Sequence, residues 1–312
     1  MRGSGAAPNF MLYKLLVCTT VTGPTSSVNA TKLQLALLVR QTHFMYDVII
    51  IGGSYAGLSA ALALGRSLRK TLVIDAGQAA NRFTPHAHNF ITHDGRAPEE
   101  IRELARSQVQ AYGDVSFHTG KATIATGKVD NFSITTDSGA VFTGRRLLLA
   151  GGIVDKLPDL PGAQECWGKS YIHCPYCHGY EYKGEKTAIL QVGEQTSHYA
   201  HTIGNWTDDL TVLSNGADPE SLSALPPTTK LRTSGLAQLH HEDGQLTAIE
   251  FTDGTQEEFT VLYNSPAFRL SSDLSHQLNC EHQDSGRITI DDTMHTSVPG
   301  VFAAGDCTTM FR

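Results

Sequence analysis

The chain reads Ile51-Gly-Gly-Ser-Tyr-Ala-Gly57 immediately after a run of β-branched residues, Val48-Ile-Ile-Ile51. The β-branched run predicts a buried strand, and the stretch from Leu58 to Leu68 has its apolar residues at helical spacing. In a strand, glycine turn and helix unit, the unpaired N–H groups of the helix N-terminus face a phosphate. The stretch therefore predicts the first half of a nucleotide-binding βαβ unit.

A carboxylate completes this unit. The apolar run Thr71-Leu-Val-Ile74 predicts a second strand, and Asp75 follows 18 residues after Gly57. A carboxylate at this position can accept hydrogen bonds from a ribose hydroxyl group. Gly52 permits the tight turn and Gly57 lets the helix approach the strand, whereas Ser54 stands where the usual pattern has its middle glycine. An unrelated α/β turn is the alternative interpretation.

Residues 174 to 178 read Cys-Pro-Tyr-Cys-His. Two cysteines separated by two residues can close a disulfide, and a nearby backbone can lower one thiol pKa so that a thiolate is available near neutral pH. The remaining four cysteines form no close pair, which favours a catalytic dithiol in a reducing cytoplasm over a secreted disulfide framework. They are Cys18, Cys166, Cys280 and Cys307.

The same cysteine motif has two other interpretations. Cys-x-x-Cys-His is the attachment pattern of c-type haem, which requires export and a different fold. A metal site could use His173 and His178 with the two cysteines, but zinc sites of this kind draw on a second ligand pair that the spacing of Cys166 and Cys280 does not offer. We therefore predict no metal site.

Composition narrows the class of protein. The 312 residues are 40% hydrophobic and 18% charged with a net charge of −7, which is typical of a globular protein and argues against a nucleic-acid partner. Residues 1–44 contain four basic and no acidic side chains. They are interpreted as a start codon placed too far upstream of Met45, with a targeting segment as the alternative. No apolar run reaches the ~20 residues that span a bilayer, so no membrane contact is expected.

A second glycine-aspartate motif lies near the end of the chain, in Ser297-Val-Pro-Gly-Val-Phe-Ala-Ala-Gly-Asp306. It resembles the motif with which flavoproteins that have two dinucleotide-binding units contact FAD. With the first turn and the cysteine pair, it makes residues 45–312 similar to the low-molecular-weight thioredoxin reductase family. The resemblance implies an α/β fold with two Rossmann-like, three-layer ββα domains, the second inserted into the first. It also implies a homodimer.

The resemblance predicts the domain limits and the site residues. The FAD-binding domain is expected at residues 45–158 and 264–312, with the inserted NAD(P)-binding-like domain at 159–263. Cys177 is expected to lie against the flavin, Cys174 to form the mixed disulfide with substrate, and His178 to move the proton. Residues expected to contact FAD are Gly52, Gly53, Ser54, Ala56, Gly57, Asp75, Asn89, Gly305 and Asp306.

The second nucleotide site departs from the family pattern. After the predicted strand Thr187–Val192 the chain reads Gly193-Glu-Gln195, with Gln195 in place of the second glycine and Glu194 adding charge unfavourable to phosphates. The next predicted strand, Leu210–Leu213, leads to Ser214–Asp218 without the basic cluster that recognises the 2′-phosphate of NADPH. NADPH use is therefore doubtful.

These departures leave three functions open. One is a thioredoxin reductase-like enzyme acting on a thioredoxin-like protein or a small disulfide. The continuation His178-Gly-Tyr-Glu181 resembles the dithiol oxidase branch, which oxidises small dithiols and passes electrons from flavin to dioxygen without NADPH. The third is a non-catalytic or truncated flavin-binding relative, because the chain ends at Cys307-Thr-Thr-Met-Phe-Arg312, where the family begins a last helix.

Overall fold

The computed structural model describes residues 45–190, 195–217 and 225–310. The N-terminal extension at residues 1–44, the predicted turn at 193–194 and Asp218 lie outside these ranges. Elements of the first unit, in chain order, are β1 (Met45–Ile51), α1 (Tyr55–Arg66), β2 (Thr71–Asp75), a 3-10 turn (Ala80–Phe83), α2 (Pro98–Gln110), β3 (Val115–Thr119), β4 (Ala122–Lys128), β5 (Asn131–Thr136) and β6 (Val141–Leu149).

The six strands of this unit form one sheet in the order β3-β2-β1-β6-β5-β4. Strands β3, β2, β1 and β6 run parallel, and β4 and β5 extend the sheet antiparallel. Successive side chains of a strand point to opposite faces. Ile50 accordingly packs with Leu58 and Val109 of the two helices, while Ile49 and Ile51 pack with Leu274 on the other face. The long β-branched run is thus buried on both faces.

Helix α1 differs slightly from its predicted extent. The periodicity predicts a helix through Leu68, but the helix ends at Arg66, where the Ser67 hydroxyl donates to the Ala63 carbonyl at 2.8 Å. Leu68 adopts a φ of +56° and is exposed. The serine side chain satisfies a carbonyl of the last turn, which allows the chain to leave the helix two residues early.

The inserted unit has its own parallel sheet. β7 (Ile153–Asp155) follows β6 and precedes this unit. The elements of the inserted unit are α3 (Ala163–Cys166), β8 (Tyr171–Ile172), α4 (Pro175–His178), β9 (Thr187–Leu190), α5 (Gln195–Ile203), β10 (Leu210–Leu213), β11 (Lys230–Arg232), β12 (Leu236–Glu242), β13 (Gln245–Phe251), β14 (Gln256–Glu258) and β15 (Val261–Tyr263). The parallel order is β11-β10-β9-β15-β8, and β12, β13 and β14 form an antiparallel sheet. The two sheets share an apolar cluster that includes Leu213, Ile249 and Leu262.

The chain then returns to the first unit. β16 (Phe268–Leu270) pairs antiparallel with β7, and α6 (Leu274–Gln277) and β17 (Val301–Ala303) follow. β17 lies parallel to β6 in the first sheet. The predicted α/β fold, with a second Rossmann-like unit inserted into the first, is confirmed. The domain limits at residues 158/159 and 263/264 stay a prediction.

Candidate functional site

A cavity of about 460 Å³ lies at the carboxyl ends of β1, β2, β6 and β17. These strands are parallel, so the turns that follow them meet at one edge of the sheet, which is where α/β sheets bind ligands. One wall contains the glycine turn, the segment 150–152 and Gly305–Asp306. The opposite wall comes from the inserted unit and includes Trp167, Cys177 and His178. The cavity therefore joins the two sequence motifs.

The glycine turn brings bare backbone to the cavity. Gly52 has a φ of +110°, and a Cβ atom there would lie 2.3 Å from the Ala150 carbonyl oxygen. A Cβ atom at Gly57 would lie 1.9 Å from the Gly52 carbonyl oxygen. No side chain fits at either position without moving the backbone, because both distances are far inside van der Waals contact. These two glycines are therefore required by the turn itself.

Helix α1 points its N-terminus at this cavity. Ser54 is the N-cap, its side chain makes no capping hydrogen bond, and the first turn holds no acidic residue. The first N–H groups of a helix have no intrahelical acceptor and carry partial positive charge. Ser54, Tyr55 and Ala56 all line the cavity. The arrangement suits an anionic group such as a pyrophosphate.

Asp75 ends β2 and is held in place by an arginine that sequence reasoning missed. Asp75 Oδ2 lies 3.3 Å from Arg102 Nη1, and its Oδ1 accepts a hydrogen bond from the Gly77 N–H at 3.2 Å. The Arg102 guanidinium also pairs with Glu99, whose hydrogen bond raises the pKa of the arginine. Arg102 lies on α2, 27 residues from Asp75, so no local pattern could have indicated the pair. Both side chains line the cavity.

Asn89 takes a different position from the other predicted FAD contacts. It has a φ of +59°, its N–H donates to Asp94 Oδ1 at 2.8 Å, and it does not line the cavity. The preceding residue, His88, lines the cavity instead. A positive φ turns the backbone at Asn89, so the two neighbours face different ways. A contact between Asn89 and FAD stays a prediction.

Cys174 and Cys177 form a disulfide with their Cα atoms 5.3 Å apart. Cys174 is the N-cap of α4, Pro175 occupies the first helical position, and the Cys177 N–H donates to Cys174 Sγ at 3.2 Å. Proline at that position fixes the backbone without losing a hydrogen bond. Cys177 lines the cavity, whereas Cys174 does not, and both are half-buried. The two sulfurs therefore have different neighbours.

His178 follows the disulfide and lines the same cavity. Burial lowers its pKa below the ordinary value of 6.5, with a smaller contribution from His88, while the negative charge of Glu181 acts in the opposite direction. A lowered pKa leaves the imidazole neutral at pH 7, which is the form that accepts a proton.

Seven of the nine predicted FAD-contacting residues thus line one cavity with Cys177 and His178. They are Gly52, Gly53, Ser54, Ala56, Asp75, Gly305 and Asp306. Gly57 is buried beneath the turn. Across residues 45–190, 195–217 and 225–310, no three His, Cys, Asp or Glu side chains gather to hold a metal ion. None of the helices in these ranges has the length and apolar character needed to cross a membrane.

The carboxyl edge of the second parallel sheet has a different character. Arg232 ends β11 beside β10. Its guanidinium pairs with Asp253 at 3.3 Å and Glu257 at 3.4 Å and lies 3.6 Å from the centre of the Phe251 ring. Between Ser214 and Thr229 the sequence has no lysine or arginine. The cation at this edge is therefore already neutralised by two carboxylates.

Comparison with known proteins identifies the family. The sequence profile of the pyridine nucleotide-disulphide oxidoreductases matches residues 46–194 and 231–312. The chain is 34% identical over 286 residues to thioredoxin reductase tcpT of Claviceps purpurea, covering 87% of this chain and 89% of that protein. Thioredoxin reductase sirT of Leptosphaeria maculans is 32% identical, with 84% and 87% covered.

A solved oxidoreductase from Agrobacterium tumefaciens is 35% identical and superposes with a TM-score of 0.78, covering 85% of this chain and 90% of that one. The residues matched by the family profile include the glycine turn, Cys174, Cys177 and Asp306. The chain belongs to the pyridine nucleotide-disulphide oxidoreductase family, within which it is a thioredoxin reductase-like thiol–disulfide oxidoreductase.

Proposed function

We propose that the protein is an FAD-dependent enzyme that passes electron pairs between the flavin, the Cys174–Cys177 disulfide and a thiol or disulfide substrate. The observation that carries this proposal is the shared cavity. Cys177 and His178 form one wall, and the glycine turn with Asp306 forms another. A redox disulfide and a dinucleotide cradle therefore face the same space.

The residues of the first unit fit an FAD. The bare turn at Gly52 and Gly53 and the uncapped N-terminus of α1 would hold the pyrophosphate, and Asp75 would accept hydrogen bonds from the adenosine ribose. Gly305 and Asp306 line the same cavity and would also contact the cofactor. Bound FAD would supply the two-electron carrier that the cysteine pair needs as its redox partner.

The thiol chemistry follows from the different positions of the two cysteines. A substrate thiolate attacks Cys174 Sγ, which forms a mixed disulfide and releases Cys177 as a thiolate facing the cavity. His178 takes the proton of the second substrate thiol, which attacks the substrate sulfur of the mixed disulfide and releases Cys174. Two electrons pass from the substrate to the cysteine pair, and the two thiol protons pass to His178 and solvent. Reduction of a substrate disulfide is the reverse sequence.

A second candidate concerns the electron partner. At the carboxyl edge of the parallel sheet in the inserted unit, Arg232 is paired with Asp253 and Glu257. The sequence also places Glu194 in the glycine turn of this unit. Both features disfavour NADPH, because the paired Arg232 offers no free positive charge to a phosphate and Glu194 adds a negative charge to the turn. They favour a dithiol oxidase, in which electrons enter from a dithiol and leave to dioxygen.

The substrate and assembly belong to the same proposal. A thioredoxin-like protein and a small dithiol or disulfide both satisfy the chemistry, because either needs only access to Cys174. We propose a cytoplasmic homodimer, supported by the resemblance to thioredoxin reductases and by a single close cysteine pair suited to a reducing compartment.

An anaerobic titration tests the proposal. Purified protein is mixed with NADPH, NADH or dithiothreitol in parallel while the flavin absorbance is followed. Rapid bleaching by NADPH supports the reductase, whereas bleaching by dithiothreitol alone, reversed by air, supports the oxidase. A protein that binds no flavin, or whose flavin none of the three reduces, contradicts the proposed function.

A further inference from the structure

His88 and Glu181 connect the two units beside the disulfide. His88 Nε2 lies 3.4 Å from Glu181 Oε1, although the residues are 93 positions apart and belong to different units. His88 lies in the loop between β2 and α2, and Glu181 comes three residues after His178. The His88 side chain is 23% exposed and that of Glu181 is 38% exposed, so water only partly screens the pair.

The other nitrogen of the ring is also held. His88 Nδ1 lies 3.5 Å from Asp94 Oδ1, the same oxygen that accepts the Asn89 N–H. The ends of this loop are joined by the hydrogen bond from the Ala87 N–H to the Arg96 carbonyl at 2.7 Å. The ring therefore stands between a carboxylate of its own loop and a carboxylate of the disulfide segment. An imidazole with both nitrogens facing carboxylates is oriented from two sides.

The same two residues are the charged neighbours of His178. Glu181 favours the protonated form of His178 and His88 disfavours it, so their effects on the pKa of His178 have opposite signs. His88 and His178 both line the cavity, and Cys177, the residue before His178, is bonded to Cys174 in this state. The two neighbours thus act on the proposed base both by position and by charge.

We propose that Asp94, His88 and Glu181 form a clasp between the two units that fixes the disulfide segment, with His178, against the cofactor cavity. His88 and Glu181 are positioning residues in this proposal, because they act through His178. The inference rests on the proposed function in so far as His178 serves the thiol chemistry. The arrangement of the clasp can be tested without turnover.

Histidine NMR titration of the oxidised protein tests the clasp directly. Glu181→Gln removes the negative charge and keeps the shape, so the pKa of His178 should fall. His88→Gln removes a neighbour that lowers the pKa of His178, so this pKa should rise. In the double variant the two opposed changes should largely cancel. Glu250→Gln is the matched control. Glu250 does not line the cavity, and its Oε2 lies 3.0 Å from His240 Nε2 in a similar pair. This variant should leave the pKa of His178 unchanged.

The rate of flavin reduction by dithiothreitol gives the second readout. On the acid side of the pH profile, Glu181→Gln should raise the fraction of neutral His178 and His88→Gln should lower it, each by roughly threefold at partly exposed positions. Glu181→Asp keeps the charge and should retain the wild-type profile. It also serves as a second variant if Glu181→Gln does not fold.

The outcomes separate the two proposals. If the wild-type flavin is not reduced by dithiothreitol or nucleotide, the proposed function fails while the NMR titration still tests the clasp. If wild-type reduction is normal and the two single variants leave the pKa of His178 unchanged, or move it in the same direction, the clasp is wrong. Opposite movements with cancellation in the double variant establish it.

Discussion

The two parallel sheets of this protein present their carboxyl edges very differently. In the first sheet, Gly52 and Gly57 leave the turn after β1 bare, and α1 begins without an acidic residue. The corresponding turn in the inserted unit reads Gly193-Glu-Gln195, and the nearby Arg232 is already paired with two carboxylates. The first unit therefore offers favourable charge and open backbone after β1, whereas the sequence of the second turn predicts a less favourable place for a phosphate.

The difference leads us to expect that the supersecondary unit alone does not make a nucleotide site. A phosphate needs backbone N–H groups that no side chain covers and a local charge that is not negative. The inserted unit contributes Cys177 and His178 to the cavity instead. We infer that its main contribution to the reaction is the disulfide, so that the first unit holds the cofactor and the inserted unit carries the disulfide.

Removing either sulfur should have the largest effect. Cys174→Ser or Cys177→Ser should reduce turnover by at least about 1,000-fold, because no thiol exchange can proceed through a hydroxyl group. FAD content should stay at the wild-type level, since the proposed cofactor contacts lie mainly in the first unit. Steady-state turnover and the ratio of flavin to protein absorbance measure both quantities. Full activity in either variant would exclude the dithiol mechanism, and loss of FAD would contradict the division between the units.

A matched pair of alanine substitutions compares the two turns directly. Gly52→Ala should lose most of the bound FAD and destabilise the fold by about 1–3 kcal/mol, because the new Cβ meets the Ala150 carbonyl and the φ of +110° is strained. Gly193→Ala should leave FAD retention unchanged. Flavin absorbance after gel filtration and thermal unfolding measure the two effects. Equal FAD loss from the two variants would mean that both turns support the cofactor.

The site residues that belong to short sequence motifs could be predicted from the sequence, whereas the contacts between distant segments could not. Gly52, Asp75, Cys174 and Cys177 belong to short motifs whose spacing reflects the geometry of one turn. The His88–Glu181 pair depends on how two units pack, and no short-range pattern encodes it. Asn89, which stays a predicted FAD contact, has a positive φ and does not line the cavity, whereas its neighbour His88 does.

Restoring the second turn should produce an intermediate effect. Replacing Glu194 by Ala together with Gln195 by Gly removes a negative charge and a side chain from the turn. The change should improve NADPH-dependent flavin reduction by about 10-fold, which corresponds to about 1.4 kcal/mol of binding. Anaerobic stopped-flow absorbance at several NADPH concentrations measures the gain. Rapid reduction of the wild-type protein by NADPH would show instead that the turn already binds nucleotide and that the contrast between the units is overstated.

The smallest effect concerns the place where the two units meet. His178 belongs to the inserted unit, and burial at the shared cavity lowers its pKa below 6.5. The neutral imidazole is the proton acceptor and predominates above its pKa, so the rate of dithiol-dependent flavin reduction, divided by the thiolate fraction of the dithiol, should fall only when the pH drops below 6.5. His178→Gln should lower the rate and remove this acid limb, whereas His240→Gln, away from the cavity, should retain it. After division by the thiolate fraction, an acid limb above 6.5 in the wild-type protein, or one that persists in His178→Gln, would mean that another group accepts the proton. The position of the acid limb therefore tests whether burial of His178 at the shared cavity lowers the pKa of the proton acceptor in the inserted unit.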